Sequence, residues 1–286
     1  TWRIGDIIGG HRRLDFTKPF LPETFARVEQ LTFLTQAEQR VLNQIRAHGY
    51  LCTFSMVEEI IVPFVVDQLR GIIHDDDVTT RALLSFASEE ARHIQLFNAF
   101  RAAFRDGFAT PCATIGPAAD IADAVLDYHP LAVALLILQT EWMTQAHYVE
   151  SVKDVRELDP AFKKMLKHHW QEEARHAKMD TLIIDALLRQ CDEDGLREGL
   201  EDYFAIIGFL DDGLMQQVQL DCVSFQSATG RTLSTAERRI FVANQSQAVR
   251  YTYLGSGLRH PNFQAVVKGI SPETHMRIEE LTSAFC

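Results

Sequence analysis

The sequence predicts an all-α protein with a core of four long helices and additional C-terminal helices. Strand signals are nearly absent: no Asn-Gly hairpin occurs, and Val, Ile and Thr never alternate over a sustained stretch. Apolar residues instead recur at helical spacing almost throughout. Breakers at Asp106-Gly107, Thr110-Pro111, Gly116-Pro117, His129-Pro130, Asp159-Pro160, Gly195 and Gly230 cut that periodicity into long segments.

The first predicted helix spans 36–73. Pro63 lies inside it, where it removes a backbone hydrogen bond, so a kink near Glu58 is expected. The second, 78–105, stops at Asp106-Gly107. The stretch Phe108 to Ala119, with Pro111, Cys112, Gly116 and Pro117, is long enough to cross from one helix pair to the other. After it come 130–157 and 160–190, each opening at a proline, then 197–228, 235–254 and 272–284. No Pro/Gly/Ser-rich linker divides the chain, which reads as one domain over 1–286 with a bundle at about 36–190 and an extension at about 191–286.

Hydrophobic residues at 47% and charged residues at 23% argue against disorder. The longest apolar run, Leu131 to Leu138, falls well short of the roughly 20 residues of a bilayer span, and Glu141 soon follows, so no membrane association is expected. No charged-then-apolar secretory segment opens the chain. A net charge of −11, with Lys and Arg scattered along the sequence, opposes phosphate backbones and makes nucleic acid an unexpected partner. Five cysteines, odd in number and without a Cys-x-x-Cys pair, read as the reduced thiols of a cytoplasmic protein.

The pentapeptide Glu-Glu-Ala-Arg-His occurs twice, at Glu89–His93 and Glu172–His176. Residues three apart share a helix face, so Glu90 with His93, and Glu173 with His176, can each grip one metal ion. Two intervening helices offer Glu58 and Glu141, and the four glutamates are spaced 32, 51 and 32 residues apart. That is the ligand set of a dinuclear carboxylate site in a four-helix bundle. Each glutamate stands in an apolar register where leucine is expected, for instance Leu51, Phe54, Glu58, Ile61 and Val65. Burying four carboxylates together is prohibitive without cations, and two divalent ions balance them. Glu59 competes with Glu58 for the first position, although the register through Leu51 and Phe54 favours Glu58.

His169, four residues before Glu173, adds a third imidazole on the same face. Nitrogen and carboxylate donors with open positions suit iron that activates O₂, with manganese second. Glu89 and Glu172 are read as acceptors for the ring N–H of the histidine on the opposite helix, with a salt bridge to Arg92 or Arg175 as the competing role. Tyr50, Gln145 and Tyr148 lie within two turns of the ligands, where they can line a pocket or pack in the core.

Together these residues resemble the ferritin-like di-iron N-oxygenases typified by p-aminobenzoate N-oxygenase, over roughly residues 30–190. The family pattern is Glu, acidic-Glu-x-x-His, Glu, then His-x-x-acidic-Glu-x-x-His. Here it reads Glu58, Glu89-Glu90-x-x-His93, Glu141 and His169-x-x-Glu172-Glu173-x-x-His176. The family's Gly-Tyr eight residues before the first glutamate is Gly49-Tyr50, which supports Glu58. The residue before each Glu-x-x-His is Asp in the family and Glu here.

The resemblance implies a ferritin-like fold, two iron ions, O₂ as co-substrate, and a small-molecule amine oxidised to a hydroxylamine, nitroso or nitro product. It also implies an external electron donor, and since no flavin or nicotinamide fingerprint is present the electrons are expected from a partner protein or a small reductant. C–H hydroxylation or desaturation is the alternative outcome; iron storage and radical generation are more distant ones. Apolar helices in the C-terminal third point to a homodimer.

Overall fold

The computed structural model describes residues 2–70, 72–74 and 76–286. After a short α1 (Glu23–Ala26), α2 (Gln36–Asp67) starts at a capping box in which Thr35 accepts from the Glu38 amide and the Glu38 carboxylate accepts from the Thr35 amide. Asp76 caps α3 (Asp77–Gly107) by accepting from the Val78 and Thr79 amides. α4 (Ala118–Leu126) follows, then α5 (Pro130–Ala146), which continues into a π-helical turn at His147–Val152. Asp159 caps α6 (Pro160–Leu188) through the Phe162 amide, with Pro160 at the first turn, where its missing N–H costs nothing. The C-terminal third comprises α7 (Glu193–Thr229), α8 (Thr235–Arg250), a second π-helical turn at Tyr251–Gly255, α9 (Ser256–Leu258), α10 (Pro261–Ile270) and α11 (Pro272–Phe285). No strand is present among the described residues.

α2 packs on α3 and α5 on α6, and α3 meets α6 to close the four-helix core. Two hydrophobic clusters divide that core along its length. One is aliphatic, built around Ile60, Ile61, Leu135 and Ile184; the other is rich in phenylalanine, with Phe20, Phe54, Phe97, Phe100 and Phe162. Every core helix passes from one to the other. On α2 the aromatic cluster ends at Phe54 and the aliphatic one begins at Ile60; on α3 the order reverses between Ala87 and Leu96. On α5 the switch falls between Leu138 and Met143, and on α6 between Leu166 and Ala177. The interrupted stretches hold all the predicted ligands, so the polar residues form one layer between two apolar cores.

The same ordering gives the topology. α2 and α6 run from the aromatic core to the aliphatic one, whereas α3 and α5 run the other way. The second and third core helices, α3 and α5, are therefore parallel, and the chain between them must travel the length of the bundle. That long crossover is the ferritin-like connection. It carries α4, which lies on α2, and it is fastened to α7 by Gln217, whose Oε1 accepts from the Ile115 amide and whose Nε2 donates to the Ala113 carbonyl. Asp221, one turn further along α7, makes a fully buried ion pair with Arg46 of α2 at 3.3 Å.

Several expected boundaries shift. The predicted helix 36–73 stops at Asp67, four residues after Pro63, and residue 71 lies outside the described residues. The predicted 130–157 and 235–254 each end in a π-helical turn. Four α-helices lie outside the predicted segments: α4, which starts directly after the breaker Gly116-Pro117, α10, which starts at Pro261, and the short α1 and α9. Proline stands at the N-cap of α4 and in the first turn of α10, so it marks a helix start as readily as a stop. Gly257 lets α9 lie against α5, because a Cβ there would stand 2.7 Å from the Gln139 carbonyl oxygen. By length and composition α2 could cross a bilayer, but most of its apolar stretch is buried inside the protein against its neighbouring helices. All five cysteines are free.

Candidate metal centre

Glu58, Glu90, His93, Glu141, His169, Glu173 and His176 are all buried in the layer between the two cores. Ligand-type atoms converge there in two groups, Glu58–His93–His169–Glu173 and Glu90–His93–Glu173–His176. Within each group these atoms lie within 4.8 Å of one another, close enough to hold a metal ion, and Glu173 belongs to both. Glu141 belongs to neither group but is buried in the same layer, close enough to Glu173 for that charge to join burial in raising its carboxyl. Glu59 lies half-buried outside both groups, accepting from the Ser55 hydroxyl.

The histidines present different nitrogens. His93 Nδ1 lies 2.8 Å from Glu90 Oε2 and 3.1 Å from Glu173 Oε1. His176 Nδ1 lies 2.6 Å from Glu90 Oε1 and 2.7 Å from Glu173 Oε2. His169 enters by Nε2, at 3.0 Å from Glu58 Oε1 and 2.7 Å from Glu173 Oε1. Outside the layer, His93 Nε2 meets Glu172 Oε2 at 3.0 Å and His176 Nε2 meets Glu89 Oε2 at 2.9 Å. Each acid also takes the arginine beside that histidine: Arg92 on Glu172 at 2.6 Å and Arg175 on Glu89 at 3.0 Å. Both roles weighed for Glu89 and Glu172 are thus filled at once. The duplicated pentapeptides grip each other across the α3–α6 interface in a reciprocal arrangement.

The electrostatics test whether this donor set fits cations. Glu58 Oε2, Glu90 Oε1, Glu141 Oε2 and Glu173 Oε1 are buried with no well-formed hydrogen bond, although imidazole nitrogens crowd some of them. Such orphaned acceptors are costly unless something positive sits among them. Burial, then repulsion from Glu90 and Glu173, holds Glu58 well above the usual carboxylate range. Burial and Glu173 do the same to Glu141. For Glu90, burial and the Glu173 charge act upward, but His176 and His93 outweigh them and bring it down to about 2. Burial disfavours charge on His93 and His176, yet Glu173 and Glu90 raise both well above the ordinary imidazole value. Without metal the layer therefore holds protons where cations would sit. The donor set fits two divalent ions.

Two groups of interest were not singled out from the sequence. Asp180 is buried with Oδ2 unpartnered, and burial pushes its carboxyl well above the usual range. It stands seven residues after Glu173 and four after His176, a spacing that places it on the ligand face of α6. His147 opens the first π-helical turn, where its Nδ1 meets the Tyr50 hydroxyl at 3.2 Å and its Nε2 meets the Thr252 carbonyl at 2.9 Å. Burial takes it down to about 3.

A cavity of about 360 Å³ lies between α2, α5 and α7. Phe54, Ile61, Ile137 and Thr140 are among its walls, within one turn of Glu58 or Glu141, so it borders the ligand layer. Tyr50, Gln145 and Tyr148 do not line it. Tyr50 stacks on Phe54 with centroids 4.3 Å apart, Gln145 donates to the Trp170 carbonyl, and Tyr148 stacks on the Trp170 ring.

No family model matches the chain, and no curated protein matches it. Among solved structures it is similar to a tyrosine-to-phenylalanine variant of an R2-like ligand-binding oxidase with an aerobically reconstituted Mn/Fe cofactor, at 12% identity and a TM-score of 0.46 over 87% of each chain.

Proposed function

We propose that this protein is an O₂-activating non-haem di-metal oxygenase, with iron as the metal and manganese the alternative, that N-oxygenates a small amine. The observation that carries this reading is a buried layer of four glutamates and three histidines bordering an apolar cavity. A bound metal pair supplies O₂ activation and electron storage. First oxygenation balances as R–NH₂ + O₂ + 2 e⁻ + 2 H⁺ → R–NHOH + H₂O.

The chain's residues do the rest. Glu58, Glu90, Glu141 and Glu173, with His93, His169 and His176, would hold the ions; Glu173 and His93 are common to both groups, and of the two Glu173, with two carboxylate oxygens, could serve both ions. Glu172 and Glu89 retain the Nε2–H of His93 and His176, which keeps each Nδ1 lone pair directed inward. Phe54, Ile61, Ile137 and Met143 shape the substrate chamber and exclude water from it.

The apolar lining of that chamber favours one second reading, C–H hydroxylation or desaturation. The test is metal analysis of protein reconstituted with Fe(II), followed by reaction with ¹⁸O₂ and an electron source in the presence of aryl amines and matched hydrocarbons. Two irons per chain and ¹⁸O on nitrogen support N-oxygenation. Label on carbon transfers the assignment to the second reading, and no iron uptake removes both.

A further inference from the structure

Basic residues that are scattered in the sequence are gathered by the fold on one face. On α6, Lys164, Lys167, Arg175 and Lys178 are all exposed, and their spacing lines them up along the outer side over about 21 Å. The N-terminal segment adds exposed Arg3, Arg12 and Arg13 beside them, fastened by Lys164 Nζ donating to the Asp6 carbonyl at 2.7 Å. In a chain of net charge −11, this face runs against the whole. Of the acids beside it, Glu89 and Glu172 are held by histidine and arginine, and Asp6 accepts from the Arg3 amide, while Asp185 lies exposed at the far end of the stripe.

The same face borders the ligand layer. α7 and the C-terminal helices cover α2 and α5, whereas the N-terminal segment lies against α3 and α6. Two short contact chains run outward from it. From His176, Glu89 leads to Arg175, whose side chain is 64% exposed. From His93, Glu172 leads to Arg92, and the Trp2 ring lies 4.9 Å from that guanidinium and parallel to the His93 ring at 6.5 Å.

We infer that the α3–α6 face is the docking site of an acidic one-electron carrier protein, and that electrons enter by the His93 and His176 edges. The inference rests on the di-metal reading above. Two successive encounters deliver two electrons to the metal pair and leave two oxidised carriers; no bond is made or broken. Charge complementarity steers the encounter, so association must weaken with salt.

The test uses the full chain reconstituted with iron and, as probe, an acidic plant-type [2Fe–2S] ferredoxin, with binding followed by calorimetry at low and high salt. Lys167 and Lys178 make no ion pair among the described residues, so K167E/K178E alters charge while leaving the fold and the ligand layer intact. The expected result is salt-sensitive binding to wild type and at least about a tenfold loss of affinity in the double variant. Iron content and the rate of reduction by dithionite should be unchanged. Equal affinity in wild type and variant overturns the inference, as does absence of binding at low salt. Retention on phosphatidylserine vesicles but not by the ferredoxin also overturns it, in favour of an anionic surface as ligand. Iron analysis of the same samples separates the two readings: iron bound without a charge-dependent complex sinks only the docking site, and no iron bound sinks both.

Discussion

The ring of His93 gives its Nε2 to Glu172 at 3.0 Å and so turns its Nδ1 toward Glu90 and Glu173, and His176 repeats the arrangement with Glu89. Each acid comes from the other helix's copy of the pentapeptide, so orientation of one histidine depends on the packing of both helices. Glu172→Gln and Glu89→Gln should each lower metal affinity about 10–100-fold, measured by competition with a chromophoric chelator. An unchanged affinity in both would show that the rings are oriented by packing alone.

Glu58 and Glu59 are neighbours with opposite fates, one in the layer and one beside Ser55. Glu58→Gln should cost at least one of the two ions on elemental analysis, and Glu59→Gln should cost none.

Metal uptake should release protons. His93 and His176 are raised well above the ordinary imidazole value by Glu173 and Glu90, against the opposing effect of burial, so in the metal-free protein each ring holds its second proton more tightly than a free imidazole does. A ligating ring must give that proton up. Titrating Zn²⁺ or Mn²⁺ into weakly buffered apoprotein with a pH indicator should show about two protons or more released per fully loaded chain. Affinity should accordingly fall as pH falls.

His147 predicts a separate pH effect on stability. Burial takes it to about 3, while the unfolded ring keeps the ordinary value of 6.5. Between those values the unfolded chain binds a proton that the folded chain refuses, so stability falls as pH falls through that window, by at most about 1.4 kcal/mol per pH unit. In urea melts, His147→Gln should flatten that slope and leave the curve above pH 7 with its shape unchanged.

Arg46 and Asp221 form a pair that is costly to break. Arg46→Met strands a carboxylate that burial already raises, so the loss should be about 3–5 kcal/mol near neutral pH. Protonating Asp221 relieves the cost, because in the variant the folded chain binds that proton more readily than the unfolded chain. The deficit should therefore be larger at pH 8 than at pH 5.

Much of the buried glutamate and histidine layer was legible because side-chain spacing on a helix is a local property. Glu90 and His93 share a face by geometry, and carboxylates in a leucine register announce a buried polar layer. Asp180 was legible on the same terms, one heptad after Glu173, but it lies outside the duplicated motif. His147 carried no such signal: its partners are Tyr50, Thr252 and Ser256, the last two more than a hundred residues away and brought to it by a second π-helical turn.

The sequence by itself determined the all-helical class, the order of the long helices and which residues share each helix face, since these follow from periodicity and from breakers acting within a few residues. Only the tertiary structure decided which faces meet. It placed the ligand layer between an aliphatic and an aromatic core, made α3 and α5 parallel, and crossed the two pentapeptides so that each acid serves the other's histidine. It also opened the cavity on the α7 side, lined by neither Tyr50 nor Gln145, and gathered scattered lysines and arginines onto the α3–α6 face. The reason is that a helix's own pattern fixes the angle of each side chain about its axis, whereas the neighbour it faces depends on how segments far apart in the chain pack to bury their apolar stripes together.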